Sequence, residues 1–224
     1  MKVNNYGISS TLLVVLISVL IAVGLGESYN FSIHAFDVSA WIGVIITHVT
    51  LSLCLYLLSR GVRDALRWAG VPLIAWLPSV LVVAGAFILA LSTAQQGPSY
   101  AFTGSKEVFY VIATLTWIPI FEEIVFRGGI TPILHRFAGP FSSMWFSALI
   151  FSVAHSHPTW ARVVGLRVGF VFGPFLLGLC CDMIVRRWGK LWPAIAFHIA
   201  CNATVYIFST FNPSWLHKLG GLYM

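Results

Sequence analysis

Six side chains able to do chemistry interrupt otherwise apolar runs of this 224-residue sequence: Glu122, Glu123, Arg127, His155, His198 and Asn202. Glu122 and Glu123 are adjacent, so on a helix they point about 100° apart and serve different roles. Glu123 and Arg127 are four apart, the spacing at which a carboxylate meets a basic group on one helix face. That pairing neutralises both charges and leaves Glu122 to face a cavity. His198 and Asn202 are also four apart, and an imidazole with a carboxamide offers donors to a developing oxyanion. His155 follows Phe151 by one helical turn, whereas His157 precedes Pro158 and belongs at an interface. Each group alone has a plain structural reading: a buried ion-pair cluster for the acidic stretch, an interhelical hydrogen-bonding pair for His198 and Asn202, and a helix-end residue for His155. Together they supply a base, an orienting partner and oxyanion donors, the parts that activate water against an amide carbonyl.

Membrane helices must position these groups. The sequence is 58% hydrophobic and 9% charged, against roughly 25% charged for an ordinary soluble domain, and its mean hydropathy is +0.89. A charge at the bilayer centre costs about 2.5–3.5 kcal/mol, which makes intramembrane Glu, Arg and His functional candidates. The expected fold is all-α, a polytopic transmembrane helical bundle of about seven spans, each near 20 residues long. The whole chain, 1–224, reads as one integral membrane domain, with 106–208 holding the catalytic helices. The spans are expected at Ser9–Gly26, Val38–Leu58, Val71–Leu91 (with Pro72 and Pro78 inside it), Lys106–His135, Phe141–His155, Val163–Val185 and Leu191–Phe208. The first resembles a signal peptide, but its apolar run is long and its cleavage site poor, so an uncleaved span is expected. Gln95–Gly104 reads as the largest external loop. Lys2, Arg60, Arg63, Arg67, Arg136, Arg186, Arg187 and Lys190 fall on one side of this layout. The positive-inside rule then puts the N-terminus in the cytoplasm and the C-terminus outside, in a multi-pass protein of the cell membrane.

Other features have bland readings. The net charge of +6 marks cytoplasmic loops and not a nucleic-acid partner. Cys54, Cys180, Cys181 and Cys201 lack CxxC spacing and read as small apolar residues. A Cys201–His198 nucleophile is disfavoured by the thiol's apolar surroundings. Gly165, Gly169, Gly173 and Gly178 suit close helix packing. Asp182 pairs with Arg186 at the interface, without a catalytic role. A proton-coupled transporter is a competing reading of the Glu and His residues, weakened by the lack of internal repeats.

The ordered set Glu122-Glu123-x-x-x-Arg127, Phe151-x-x-x-His155 and His198-x-x-x-Asn202 resembles the CPBP group of intramembrane endopeptidases, which includes the type II CAAX prenyl endopeptidases and the abortive-infection proteins. The resemblance runs from Lys106 to Phe208. It implies an intramembrane protease in which Glu122 activates water, His155 shares that water, and His198 with Asn202 forms the oxyanion site. Glu123 and Arg127 become a supporting ion pair. The resemblance leaves metal dependence open: metal-free, glutamic-type chemistry is favoured, and zinc, if bound, would take Glu122, His155 and His198. The implied partners are the bilayer and a membrane-anchored protein or peptide substrate. The short chain reads as a bacterial member, for which removal of C-terminal anchors from sorted surface proteins, as in myxosortases, is preferred over prenylated tails. A non-catalytic immunity or scaffold member is the alternative within the family.

Overall fold

The computed structural model describes residues 38–94, 105–155 and 172–211. The expected first span, the Gln95–Gly104 loop, His157 and the beginning of the sixth span lie outside them. The described elements are helices: α1 (Val38–Leu58), α2 (Arg60–Ala65), a 3-10 turn (Leu73–Trp76), α3 (Leu77–Thr93), α4 (Ser105–Leu115), α5 (Trp117–Glu123), a π-helical turn (Ile124–Ile130), α6 (Thr131–Ala154), α7 (Phe172–Trp188) and α8 (Trp192–Phe211).

Local chemistry sets several boundaries. Ser59 separates α1 from α2, its hydroxyl accepting from the Val62 amide as an N-cap. Pro72 precedes the 3-10 turn and Pro78 lies in the first turn of α3. Both prolines therefore sit at helix starts, where a missing N–H costs nothing; Pro78 lies within the membrane-length stretch Leu73–Thr93, as expected, and Pro72 just before it. The expected helix from Lys106 to His135 is also divided. Its backbone breaks at Thr116, with φ −128° and ψ −95°. Pro119 explains the break, because its ring clashes with the carbonyl four residues earlier and it donates no hydrogen bond.

The 38-residue stretch Trp117–Ala154 is apolar and long enough to cross a membrane, as is Leu73–Thr93. It is not one rod. Gly139 takes φ 72° and ψ 177°, a conformation natural to glycine, and the following Pro140 cannot continue the ladder. The chain doubles back there: Thr131 and Ser147 hydroxyls lie 2.7 Å apart, and the Phe126 and Phe151 rings meet edge to face at 4.9 Å. The fourth and fifth expected spans are thus two arms of one hairpin.

α7 packs along this hairpin and α8 packs along α3. Trp68 bridges the starts of the latter pair, contacting Trp76 and Trp192, and Phe87 meets Phe211 further along, so α3 and α8 run parallel. Backbone and side-chain bonds tie the α7–α8 turn to α2: Leu191 N to Ala65 O, Trp192 Nε1 to Leu66 O and Lys190 Nζ to Asp64 O. Arg186 bonds Ser143, one turn beyond the hairpin bend. The basic residues of segments 60–67, 136 and 186–190 therefore gather at one end of the bundle.

The polarity of the bundle is inverted relative to a soluble protein. Leu73 is 90% exposed, and Leu58, Ile88 and Phe141 also face outward, while Glu123, Arg127, Asp182 and His198 are buried. An apolar exterior of this extent is not tolerated by a monomer in water and is at home in lipid. The described residues form a helical bundle with the apolar exterior of a membrane protein.

Candidate active site

The two glutamates diverge as their 100° separation requires. Glu123 turns into the bundle and its side chain is fully buried, whereas Glu122 stays 15% exposed. The π-helical turn follows at once, closed by the Thr131 amide donating to Phe126 O. Turns of this kind are uncommon and often mark functional sites. This one carries Arg127 inward, where its Nη1 donates to Glu123 Oε1 at 3.1 Å. The guanidinium lies 4.7 Å from the Phe151 ring centroid, a favourable cation–π placement when desolvated.

Three helices bring the histidines to Glu122. His155 caps the second arm of α6, its backbone amide donating to Ser152 O and Val153 O. Its Nδ1 contacts Phe151 O at 2.8 Å. A carbonyl only accepts, so Nδ1 carries the hydrogen, and Nε2 faces Glu122 Oε1 at 3.7 Å. His198, on α8, places Nδ1 2.9 Å from Glu123 Oε1 and Nε2 3.5 Å from Glu122 Oε2. The Glu122 carboxylate is therefore flanked on both oxygens by imidazole Nε2 atoms. The separations exceed a direct hydrogen bond and match polar groups that share a bridging molecule.

Asn202 is engaged elsewhere in this structure. Its Nδ2 donates to Thr114 O at 2.9 Å, one of the carbonyls left beside the Thr116 break. An amide nitrogen carries two hydrogens, so one is left for a second acceptor. The Thr114 hydroxyl pairs with Tyr206 of the same helix as Asn202.

Two contributors escaped the sequence reading. Asp182 is not an interfacial partner of Arg186: it is buried, accepts from the Thr131 hydroxyl at 2.9 Å and faces Arg127 Nε at 3.8 Å. The hairpin brings Thr131 to it, a contact 51 residues distant in sequence, which no local spacing signals. Phe151 was visible as part of a motif but had no role. Its ring touches His155, His198, Phe126 and Arg127, and so sets their mutual positions. Gly178 fits the close-packing expectation, since a Cβ there would lie 3.0 Å from Ala148 Cα and 3.2 Å from Arg127 Nη2; around Gly173 the space is open.

Zinc accepts imidazole and carboxylate ligands, and each histidine has an outer partner of the kind that orients metal ligands. The spacing is less suitable: among the described residues no group of three or more His, Cys, Asp or Glu side chains stands placed to hold a metal ion. A separate hollow of about 570 Å³ between α3 and α8 is lined almost wholly by apolar side chains and includes none of the six residues.

Comparison with known protein families gives a match over part of the chain. Residues 103–204 fit the family described as type II CAAX prenyl endopeptidase Rce1-like, and that stretch contains all six residues. No curated protein and no solved structure matches the chain. Residues 103–204, a little under half of the chain, are thus similar to the Rce1-like type II CAAX prenyl endopeptidases.

Proposed function

We propose that the protein is an intramembrane endopeptidase that cuts a peptide bond in a membrane-associated protein or peptide, using water activated by Glu122 and His155. The observation that carries this reading is the Glu122 carboxylate, partly exposed and flanked at 3.7 and 3.5 Å by His155 and His198. A water seated between carboxylate and imidazole gives its proton to Glu122 as its oxygen attacks the scissile carbonyl. The carbonyl π electrons pass to oxygen, and His198 and Asn202 donate to the resulting oxyanion. For His198 that requires hydrogen on Nε2 as well as Nδ1, and the Glu123 carboxylate at 2.9 Å compensates the added charge. Collapse of the intermediate breaks the C–N bond, and the proton held by Glu122 goes to the leaving amine. Asn202 reaches the oxyanion with its second amide hydrogen.

No metal is needed for these steps, and metal-free chemistry is the favoured form. The favoured substrate is a membrane protein with a hydrophobic C-terminal anchor. Support for the reading comes from the apolar exterior, which puts the carboxylate within reach of membrane-embedded chain, and from the protease family of the matched segment. The test is cleavage of anchor-bearing peptides by the purified protein in proteoliposomes. Cleavage that Glu122→Gln and His155→Ala both abolish supports the assignment, and cleavage unchanged in either variant sinks it. Exhaustive chelation is expected to leave cleavage intact; loss that added zinc restores overturns the metal-free form.

A further inference from the structure

Arg127 serves two carboxylates. Its Nη1 donates to Glu123 Oε1, while Nε faces Asp182 Oδ2 at 3.8 Å without a hydrogen bond between them. The Glu123 oxygen that receives Arg127 is the same one that holds His198 Nδ1, at 3.1 and 2.9 Å respectively. One carboxylate oxygen accepts both donors, but each polarises it away from the other, so anything that draws Arg127 towards itself strengthens the hold on His198. Asp182 is placed to do so from the other side of the guanidinium.

Asp182 is itself fixed by built contacts. Thr131 Oγ1 lies 2.9 Å from Asp182 Oδ1 and 2.7 Å from Ser147 Oγ. A hydroxyl has one hydrogen and a carboxylate only accepts. Thr131 is the donor in both contacts, so its single hydrogen serves Asp182 Oδ1 or Ser147 Oγ, and the bond to the carboxylate is the charge-assisted one. The chain Ser147–Thr131–Asp182–Arg127–Glu123–His198 links both arms of the hairpin to α7 and α8, and every member is buried. Gly178, one turn before Asp182, leaves the room that Arg127 occupies.

We propose that Asp182 is a positioning residue: anchored by Thr131, it holds Arg127 back from Glu123 and thereby leaves Glu123 to orient His198 over Glu122. Asp182 touches neither substrate nor the reacting atoms. The inference rests on the protease reading above, so Glu122→Gln accompanies every measurement.

Steady-state cleavage in proteoliposomes tests it with Asp182→Asn, which keeps the shape and removes the charge. The expected result is a kcat loss on the order of 10- to 100-fold, as for small misplacement of a catalytic group, with KM within about twofold because substrate contacts are untouched. Thr131→Val, which frees the Asp182 carboxylate, lowers kcat in the same direction, and Thr131→Ser, which keeps the hydroxyl, recovers most of it. Should Asp182→Asn fail to fold, the two Thr131 variants carry the test. Wild-type kcat in Asp182→Asn or Thr131→Val overturns the inference, as does a Thr131→Ser no better than Thr131→Val. If Glu122→Gln also cleaves normally, the protease reading has failed; if only Asp182 and Thr131 prove dispensable, this inference alone has.

Discussion

Glu122 and Glu123 are neighbours in one helical turn, yet they belong to different regions of the molecule. Glu122 stays 15% exposed, with two imidazoles at distances too long for direct bonds. Glu123 is sealed in a dry network, bonded to both Arg127 and His198. Burial of a charge is costly unless it is paired and hydrogen-bonded; on the sealed side every charge faces an opposite one, although Glu123 Oε2, Arg127 Nε and Nη2 and Asp182 Oδ2 make no hydrogen bond. The open side is where exchangeable partners fit. The sealed side is where movement is expensive. A site of this kind separates reactivity from rigidity between adjacent residues.

That division can be broken most directly at Glu122. Glu122→Gln is expected to reduce cleavage by about 10²–10⁴-fold, the range of a general base, without lowering the unfolding temperature in detergent. A variant that unfolds early would place Glu122 in the sealed network instead. Arg127→Met should behave in the opposite way. It leaves Glu123 and Asp182 buried without their cation, at a cost of about 3–5 kcal/mol, seen as a large fall in unfolding temperature or failure to accumulate in the membrane. Wild-type stability in Arg127→Met would mean that the sealed side is not held by its charges.

Gly178→Ala sharpens the comparison further. The added methyl meets Ala148 backbone at 3.0 Å and Arg127 at 3.2 Å, and overpacking of this sort costs about 1–3 kcal/mol. Thermal unfolding read alongside cleavage should show both falling, because the strain is delivered to Arg127. At the bottom of the scale lies Arg60→Ala. The Arg60–Asp64 pair is 3.8 Å apart, with side chains 88% and 57% exposed. Pairs so exposed contribute little, and neither unfolding temperature nor cleavage should change measurably.

Much of this was legible beforehand because it depends on local spacing. The Glu123–Arg127 contact follows from four-residue periodicity, and the ends of α1 and α8 follow from apolar run length. Asp182 misled for the same reason: Arg186 lies four residues on, so local spacing suggested a pair that the hairpin replaces with Arg127 and Thr131. The break at Thr116 was available in Pro119 but was outweighed by the apolar run around it. Similarly, Asn202 carries nothing in its neighbourhood that announces the Thr114 carbonyl, an acceptor 88 residues away in sequence beside that break.

The sequence by itself determined that the chain is helical and apolar enough for a membrane, and which residues are costly to bury. Those are properties of composition, run length and helical period, and they need no knowledge of neighbours. The tertiary structure alone decided that 117–154 folds back at Gly139, that Glu122 stands between His155 and His198, and that Asp182 shares Arg127 with Glu123. Each of these depends on which helix faces which, and in an apolar medium that choice is made by packing and hydrogen bonding between distant segments.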